Sequence, residues 1–475
     1  MVVLGREAEN GSTVMLSSGD RRQGTYIIGV NGTGKTILLL NIALSDIESG
    51  DGLCFLDPHG DAIEALLARI PQHRKDDVIL FDPADIDYPF GLNLFECPDI
   101  SDPRLVDLVC SEVVGTFKKL YQKSWGPRLE DILRHAALTV LYNPGSTMLD
   151  LHLILVDEDY RQALLNNVPD PLVRQYWELI FPKQKREIRE WLSSSYNKIG
   201  RFLANPLIRN IISQPQSSFN LSTIMNEGKI LLVNLAKGKI GEDNSSLLGS
   251  VLVGKILIAA LSRAEIAFEE RRPFHLIVDE YHSFATESFP TLQSEARKFR
   301  IDTIVAHQYR DQLDLLNKGS TLNVGNFIFF RLTGRDALEL ASQFDNTPPE
   351  PEPERQPMLY RTSRDGVYRT GDKTEYVIVP GKPRPYSDVA YEMANRLTNL
   401  ANFECWCKLI KNGKLTEHHL KTEPLSQQQD ETIAAHIRHS SRTLSSGRKE
   451  VEKEIQEKII KLAEMEVPKT FEDDH

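Results

Sequence analysis

Short apolar runs alternate with longer helical periods along the first hundred residues. Mostly apolar runs stand at residues 25–28, 53–56 and 78–81, and helical periodicity follows the first two after a turn. Continuous apolar strands separated by helices are typical of a parallel sheet covered on both faces. The pattern therefore predicts an α/β fold, with a mostly parallel sheet and helices on both sides.

The rhythm changes between Pro103 and Ser213, where helical periods continue and strand signals almost disappear. This pattern predicts an all-helical insertion within the α/β fold. The α/β pattern resumes after the turn 226–228 with the apolar run Lys229–Asn234. The clearest helical periods in the insertion are Leu105–Leu120, Leu129–Tyr142, Pro171–Ile180 and Glu187–Leu203.

The second half of the chain predicts further strands and helices, then an acidic, proline-rich linker at 347–354. Val451, Ile455 and Ile459 recur every four residues, which predicts an amphipathic helix over Arg448–Glu466 that docks on another surface. The remaining predicted helices are 244–270, Phe289–Lys298, Asp336–Phe344 and Ser387–Leu397, and the predicted strands are Phe274–Val278, Ile301–Ala306, Phe327–Phe330, Glu375–Val379 and Phe403–Leu409.

These shifts divide the chain into five segments. We expect an α/β core formed by 1–102 and 216–346, and completed by strands and a helix in 347–424. The all-α insertion would span 103–215, and a charged helical tail would span 425–475.

A glycine-rich turn joins the first strand to its helix and carries the clearest chemistry. A strand followed by GxxxxGK[ST] and a helix is a P-loop, whose backbone N–H groups and helix dipole bind a triphosphate. We expect Lys35 to contact the β- and γ-phosphates and the Thr36 hydroxyl to bind Mg²⁺. The predicted nucleotide contacts are Gly29, Val30, Asn31, Gly32, Thr33, Gly34, Lys35, Thr36 and Ile37.

Two later strands end in polar residues suited to hydrolysis. Asp279 and Glu280 follow Phe274–Val278, so Asp279 is expected in the Mg²⁺ shell and Glu280 as the base that accepts a proton from water. Gln308 follows the next strand, where it could contact the γ-phosphate or the attacking water. A cation from a neighbouring subunit would complete such a site, and the candidates are Arg297, Arg300, Arg331 and Arg335.

Charge is distributed unevenly along the chain. The net charge is −11, yet residues 183–209 carry seven Lys and Arg against two Glu, with Trp191 and Tyr196 among them. A basic helical surface with aromatic residues could follow a phosphate backbone, although a solvated helix face gives the same pattern. The apolar runs are shorter than the roughly 20 residues of a membrane span.

Several motifs in one order resemble the FtsK–HerA superfamily, above all the coupling-protein ATPases of type IV secretion and conjugation. The resemblance implies a RecA-like core with a helical insertion, a hexameric ring, and use of ATP and Mg²⁺ to move DNA through a pore. It also favours Arg297 as the arginine finger and Gln308 as the sensor. The motifs are the P-loop, Leu56–Asp61, Phe81–Asp85 with Gly91–Leu94, Trp125–Arg128, Ile277–Glu280, Glu295–Lys298 and Ala306–Gln308.

One departure from that family affects the expected location. Membrane-bound coupling proteins have transmembrane helices before the P-loop, whereas only 28 residues precede Gly29 here. We therefore expect a cytoplasmic protein without a membrane span, acting in the cytosol, in a mobile element or in defence against foreign DNA rather than at a secretion channel. The alternatives are a nucleotide-gated scaffold that controls a nuclease, relaxase or secretion channel, and an ATPase that moves protein.

Overall fold

A central sheet organises the chain. The computed structural model describes residues 1–181, 191, 197–351, 353–357, 360–361, 367–368, 376–379, 382 and 384–465. Within these residues, eleven strands form one sheet in the order β2-β1-β15-β14-β9-β3-β8-β7-β4-β6-β5. The sheet strands are β1 Val2–Glu7, β2 Thr13–Leu16, β3 Thr25–Ile28, β4 Gly52–Asp57, β5 Val78–Phe81, β6 Ile230–Asn234, β7 Phe274–Val278, β8 Ile301–His307, β9 Asn326–Phe329, β14 Glu404–Lys411 and β15 Lys414–Lys421.

The seven strands from β9 to β5 in this order are parallel, and the rest of the sheet is antiparallel. Hydrophobic clusters cover both faces, which explains why the central strands are apolar throughout. The predicted fold class is confirmed. Two short ladders lie outside this sheet and pair β10 Glu354–Pro357 with β13 Tyr376–Val379, and β11 Tyr360–Arg361 with β12 Val367–Tyr368.

Helices cover the sheet and form the segment between β5 and β6. They are α1 Ser18–Arg21, α2 Lys35–Glu48, α3 Asp61–Leu67, α4 Pro103–Leu120, α5 Pro127–Leu141, α6 Met148–Val156, α7 Glu158–Leu165, α8 Pro171–Gln175, α9 (described over 197–204), α10 Pro206–Ile212, α11 Leu221–Glu227, α12 Lys237–Ile240, α13 Glu242–Ser262, α14 Phe289–Glu295, α15 Leu315–Ser320, α16 Gly334–Leu340, α17 Tyr386–Thr398, α18 Glu431–Arg442 and α19 Arg448–Met465.

Helices α4 to α10 pack into the same hydrophobic cluster as one face of the sheet, with α4 beside α13. Much of the predicted helix Glu187–Leu203 lies outside the described residues. The division into domains stays a prediction.

Two predicted helices end earlier than expected. The helix predicted to reach Glu270 ends at Ser262, because the buried guanidinium of Arg263 turns inward and donates to the carbonyls of Arg272 and Phe299. The helix predicted to reach Lys298 ends at Glu295 and continues as a 3₁₀ turn to Phe299.

One helical stretch among the described residues, Glu242–Glu265, is long and apolar enough to cross a bilayer, with a mean hydropathy of 1.8. In this structure 78% of its apolar window is buried, as expected of a core helix.

The C-terminal tail docks on the rest of the chain. Helix α18 lies beside the edge strand β5, where the N–H of Leu80 donates to the Ser441 hydroxyl at 2.9 Å. In α19, Val451 and Ile455 are buried whereas Ile459 is 44% exposed. The predicted amphipathic helix is thus confirmed over its first half, and α18 is an additional helix that we did not predict.

A network of buried charges lies at the starts of the strands, at the end of the sheet opposite the P-loop. Arg21 forms an ion pair with Asp46 at 2.5 Å and another with Asp302 at 3.2 Å. His275 pairs with Asp302 at 2.7 Å and with Asp51 at 3.2 Å. Burial alone would lower the pKa of His275, but the carboxylates of Asp302 and Asp46 outweigh it and raise the pKa to about 9.

We predict that this histidine makes stability depend on pH. Because its pKa is raised, its contribution is complete below the unfolded value and is lost as the pH rises through about 9. His275→Gln should therefore lower the free energy of unfolding more at about pH 6 than at about pH 10, by up to about 3 kcal/mol. Urea denaturation measures this difference. His436→Gln, at a partly exposed histidine paired with Asp76, is the control; equal losses at both pH values would contradict the prediction.

Candidate active site

The P-loop lies where the sequence predicts it, between β3 and α2. Gly34 precedes α2 with φ 113°, a left-handed conformation that favours glycine. A Cβ at Gly29 would lie 2.6 Å from the Cβ of Phe330, so this position has no room for a side chain. The Thr33 hydroxyl donates to the Val30 carbonyl at 2.8 Å and closes the loop on itself. The loop is therefore shaped by its own backbone and by β9 beside it.

Lys35 folds back over this loop. Its ammonium donates to the carbonyl oxygens of Gly29 at 2.6 Å and Val30 at 3.2 Å, and the residue is buried. Burial lowers the pKa of Lys35, and the carboxylates of Glu280 and Asp279 act in the opposite direction. Carbonyl oxygens are weaker partners for an ammonium than phosphate oxygens are, so an arriving phosphate can replace them.

Thr36 and Asp279 meet on the other side of the loop. The Thr36 hydroxyl donates to a carboxylate oxygen of Asp279 at 3.2 Å. Hydroxyl and carboxylate oxygens are the donors that Mg²⁺ prefers, so the two residues fit the predicted metal role. Burial, followed by the charges of Glu280 and Asp57, raises the pKa of Asp279 to about 7. Asp279 and Glu280 lie near the ammonium of Lys35, and the repulsion that remains among the three carboxylates favours the binding of a further cation.

Glu280 and Gln308 come together from two strands. The Gln308 amide donates to one oxygen of Glu280 at 2.8 Å. The second oxygen of Glu280 is buried and accepts no hydrogen bond from the described residues. Glu280 also has φ 46°, a left-handed conformation that costs a non-glycine residue roughly 1 kcal/mol or more. Its backbone N–H donates to Asp279 at 2.9 Å, which holds the strained turn.

Two histidines that we did not predict stand beside Glu280. His59 lies 4.0 Å from the oxygen that Gln308 contacts, and His282 lies 3.4 Å from the other oxygen. His59 belongs to the motif Leu56–Asp61, so the sequence held a signal for it. Burial lowers the pKa of His282, although the charge of Glu280 opposes this shift. Both rings add polar groups around the carboxylate.

The four candidate arginines differ in their surroundings. Arg297 lies exposed in the turn after α14 and pairs with no group of the described residues. By contrast, Arg300 donates to the carbonyls of Glu269 and Arg271, and Arg331 donates to Leu400 and Asn402. Arg335 pairs with Asp311. A residue that acts on a neighbouring subunit has to be free to reach it, and Arg297 meets that requirement.

The basic stretch 183–209 is described only in part. Lys183, Lys185, Arg186, Arg189 and Tyr196 lie outside the described residues. Among the others, Lys198 is buried with its ammonium over the Tyr121 ring, and Arg201 pairs with Asp243. Arg209 donates to the carbonyl of Leu203, and the Arg128 guanidinium covers the Trp191 ring at 4.8 Å. The nucleic-acid surface stays a prediction.

We predict that Asp279→Asn stabilises the nucleotide-free protein while removing its Mg²⁺ ligand. A carboxyl with a raised pKa costs stability above about pH 4, and the cost is complete above about pH 7. The free energy of unfolding of Asp279→Asn should exceed that of the unchanged protein by about 1–3 kcal/mol at pH 8, and this difference should vanish near pH 4.

Thermal unfolding at both pH values measures this gain. The neighbouring Asp57→Asn is the matched control and should lower stability, because Asp57 accepts from the N–H groups of His59 and Ala62, each at 2.8 Å. A less stable Asp279→Asn protein at pH 8 would contradict the prediction.

Comparison with known proteins places this site in context. No protein-family model matches the chain. The chain is 22% identical over 385 residues to the type 4 coupling protein DotL of Legionella pneumophila, which covers 68% of this chain and 48% of DotL. The chain thus spans about half the length of this curated relative.

Solved structures share the fold across most of the chain. The plasmid coupling protein TrwB in complex with ADP and Mg²⁺ matches with a TM-score of 0.55 and 15% identity, over 90% of this chain and 91% of TrwB. VirB4 of Thermoanaerobacter pseudethanolicus matches with a TM-score of 0.56 and 13% identity, over 89% and 96% of the two chains. The chain therefore shares its fold with TrwB and VirB4, and it is similar in sequence to a type 4 coupling protein over about half of that protein's length.

Proposed function

We propose that this protein is a motor that hydrolyses ATP with Mg²⁺ and translocates DNA as a ring. The observation that carries the proposal is the contact between Glu280 and Gln308 beside the P-loop. A site that only binds nucleotide needs no buried carboxylate oriented by a glutamine amide next to the phosphate end of the pocket. The alternative of a nucleotide-gated scaffold is therefore the weaker one.

Each residue has a defined part in this chemistry. Lys35 exchanges its two carbonyl partners for the β- and γ-phosphates. Glu280 accepts a proton from the attacking water through the oxygen that faces His282, while Gln308 holds the other oxygen. Thr36 and Asp279 would hold Mg²⁺, which neutralises charge on the phosphates when it is bound.

A second copy of the chain completes the site in this proposal. The described pocket holds Lys35 as its cation, whereas charge on the γ-phosphate grows during transfer and an added arginine accelerates it strongly. Arg297 is exposed and free to provide this charge to a neighbouring subunit. A closed ring, and a hexamer as in the family that the sequence resembles, would place each Arg297 at the pocket of the next copy.

DNA is the proposed cargo, and a conjugation or secretion apparatus is the proposed setting. DotL is named as a type 4 coupling protein and TrwB as a conjugative coupling protein, and TrwB has been solved with ADP and Mg²⁺. The basic composition of the stretch 183–209 motivates this proposal, and its described cations Lys198, Arg201 and Arg209 contact other groups of the chain. A relaxase, nuclease or secretion channel would be the partner that delivers or accepts the DNA.

We predict that DNA stimulates ATP hydrolysis, and that Glu280→Gln removes hydrolysis while ATP still binds. Lys35→Ala should lose both ATP binding and ATP hydrolysis, because the phosphates lose their cation. Steady-state ATPase assays with and without single- and double-stranded DNA, on material of measured native mass, test the motor.

The salt dependence of DNA affinity shows whether the protein contacts the phosphate backbone. Contact with several phosphates should weaken DNA affinity by about 10³-fold or more between about 50 and 200 mM salt. An ATPase rate that stays flat across DNA titrations would refute the DNA part of the proposal. Normal hydrolysis by Glu280→Gln would refute the assignment of the base.

We also predict that Arg297→Ala lowers the rate of hydrolysis by about 10³-fold in the assembled ring with little change in ATP affinity. Lys298→Ala is the matched control, because this neighbouring cation is exposed and pairs with Glu295. Mixing Arg297→Ala with Glu280→Gln subunits should restore some activity at interfaces that combine an intact Glu280 with an intact Arg297. Full hydrolysis by Arg297→Ala would show that another residue provides the cation.

A further inference from the structure

We propose that Phe403 is the platform on which the base of the bound nucleotide stacks. The inference rests on the proposed function, since it needs a nucleotide in the P-loop. Phe403 is 368 residues from Lys35 along the chain, and its ring nevertheless lies against the P-loop backbone.

The backbone of Phe403 is held in an unusual conformation. Its φ is 67°, in the left-handed region that a bulky aromatic residue rarely adopts. Three hydrogen bonds keep it there: its N–H donates to the Thr33 carbonyl at 2.7 Å, and its own carbonyl accepts from the Thr422 N–H at 2.8 Å and the Thr422 hydroxyl at 3.2 Å. Strain of this kind persists where the surroundings impose it, and it concentrates at ligand sites.

The ring is placed beside the loop and open to solvent. A Cβ built at Gly34 would lie 2.9 Å from Cδ1 of Phe403 and 3.3 Å from the ring of Phe330. Phe330 is fully buried, whereas Phe403 is 43% exposed. An exposed aromatic ring held against a phosphate-binding loop has a free face for another flat ring.

The sheet order shows which end of the nucleotide reaches this ring. Glu280 and Gln308 follow β7 and β8 and mark the γ-phosphate end of the pocket. The P-loop strand β3 lies between β8 and β9, and Phe403 directly precedes β14, the neighbour of β9. A nucleotide with its γ-phosphate at Glu280 therefore extends its nucleoside toward Phe403.

The segment around Phe403 is fixed before any ligand arrives. Arg331 follows β9, and its carbonyl accepts from the P-loop N–H of Val30 at 2.9 Å. Its guanidinium donates to the carbonyl of Leu400 at 3.3 Å and to the Asn402 side chain at 3.0 Å. The segment that carries the ring is thus tied to the phosphate loop at Thr33 and, through Arg331, at Val30, so stacking requires little reordering.

Stacking on a ring recognises the flat surface of a base more than its edges. Purines offer the larger surface, so the site should favour ATP and GTP over CTP and UTP, with little distinction between the two purines.

The decisive variant is Phe403→Asn. Asparagine tolerates the left-handed conformation and removes the ring, so folding should be preserved. Binding of ATP should weaken by about tenfold or more. Binding of inorganic tripolyphosphate, which has no base, should stay unchanged. Isothermal calorimetry with both ligands measures the ratio of the two affinities, and Phe403→Tyr should keep the ratio of the unchanged protein.

The outcomes separate this inference from the function on which it rests. The P-loop assignment itself is wrong if neither ATP nor tripolyphosphate binds the unchanged protein. It is also wrong if both ligands bind Lys35→Ala as tightly as they bind the unchanged protein. If tripolyphosphate binds through Lys35 but Phe403→Asn leaves the affinity ratio unchanged, only the platform is wrong. A variant that loses both affinities together with its thermal midpoint would assign Phe403 a structural role and overturn the proposal.

Discussion

The parallel pairing of β3 with β8 and of β8 with β7 is the constraint on which the site depends. It aligns Ile28 with His307, and Val278 with Val305, so the P-loop, Asp279 and Gln308 all emerge at one edge of the sheet. A buried hydrogen bond of 2.8 Å between the Tyr26 hydroxyl and the His307 ring fixes this alignment. Burial lowers the pKa of His307 to about 3, so the ring stays neutral inside the sheet.

The two ends of the sheet manage charge in opposite ways. At the strand starts, Arg21 and His275 form ion pairs with three carboxylates within the protein. At the strand ends, Asp279 and Glu280 lie near the ammonium of Lys35, and burial together with the neighbouring carboxylates raises the pKa of Asp279. In the proposed mechanism, Mg²⁺ and Arg297 of a neighbouring copy would add positive charge beside these carboxylates.

The sequence predicts the elements that follow strong local patterns. The central strands are continuous apolar runs, and the P-loop is a fixed spacing of glycines with a lysine, so both are found where expected. Strand β15 was missed because its residues are largely exposed and polar, and pair mainly through their backbone. Helix α18 was missed because few of its residues are buried among many polar ones. Phe403 and His282 could not be predicted as site residues, because their places beside the P-loop and Glu280 depend on contacts across the fold that no local sequence pattern encodes.

The docking of α18 beside β5 has a consequence for how the protein behaves in a crowded solution. A parallel sheet exposes unpaired N–H and C=O groups at its last strand, and such edges recruit strands from other molecules. The Ser441 hydroxyl occupies the N–H of Leu80, and Arg438 and Arg442 place charge along the same border through Glu64 and Asp85. By covering this border, the C-terminal segment leaves less of the β5 edge open to pairing with strands of other molecules.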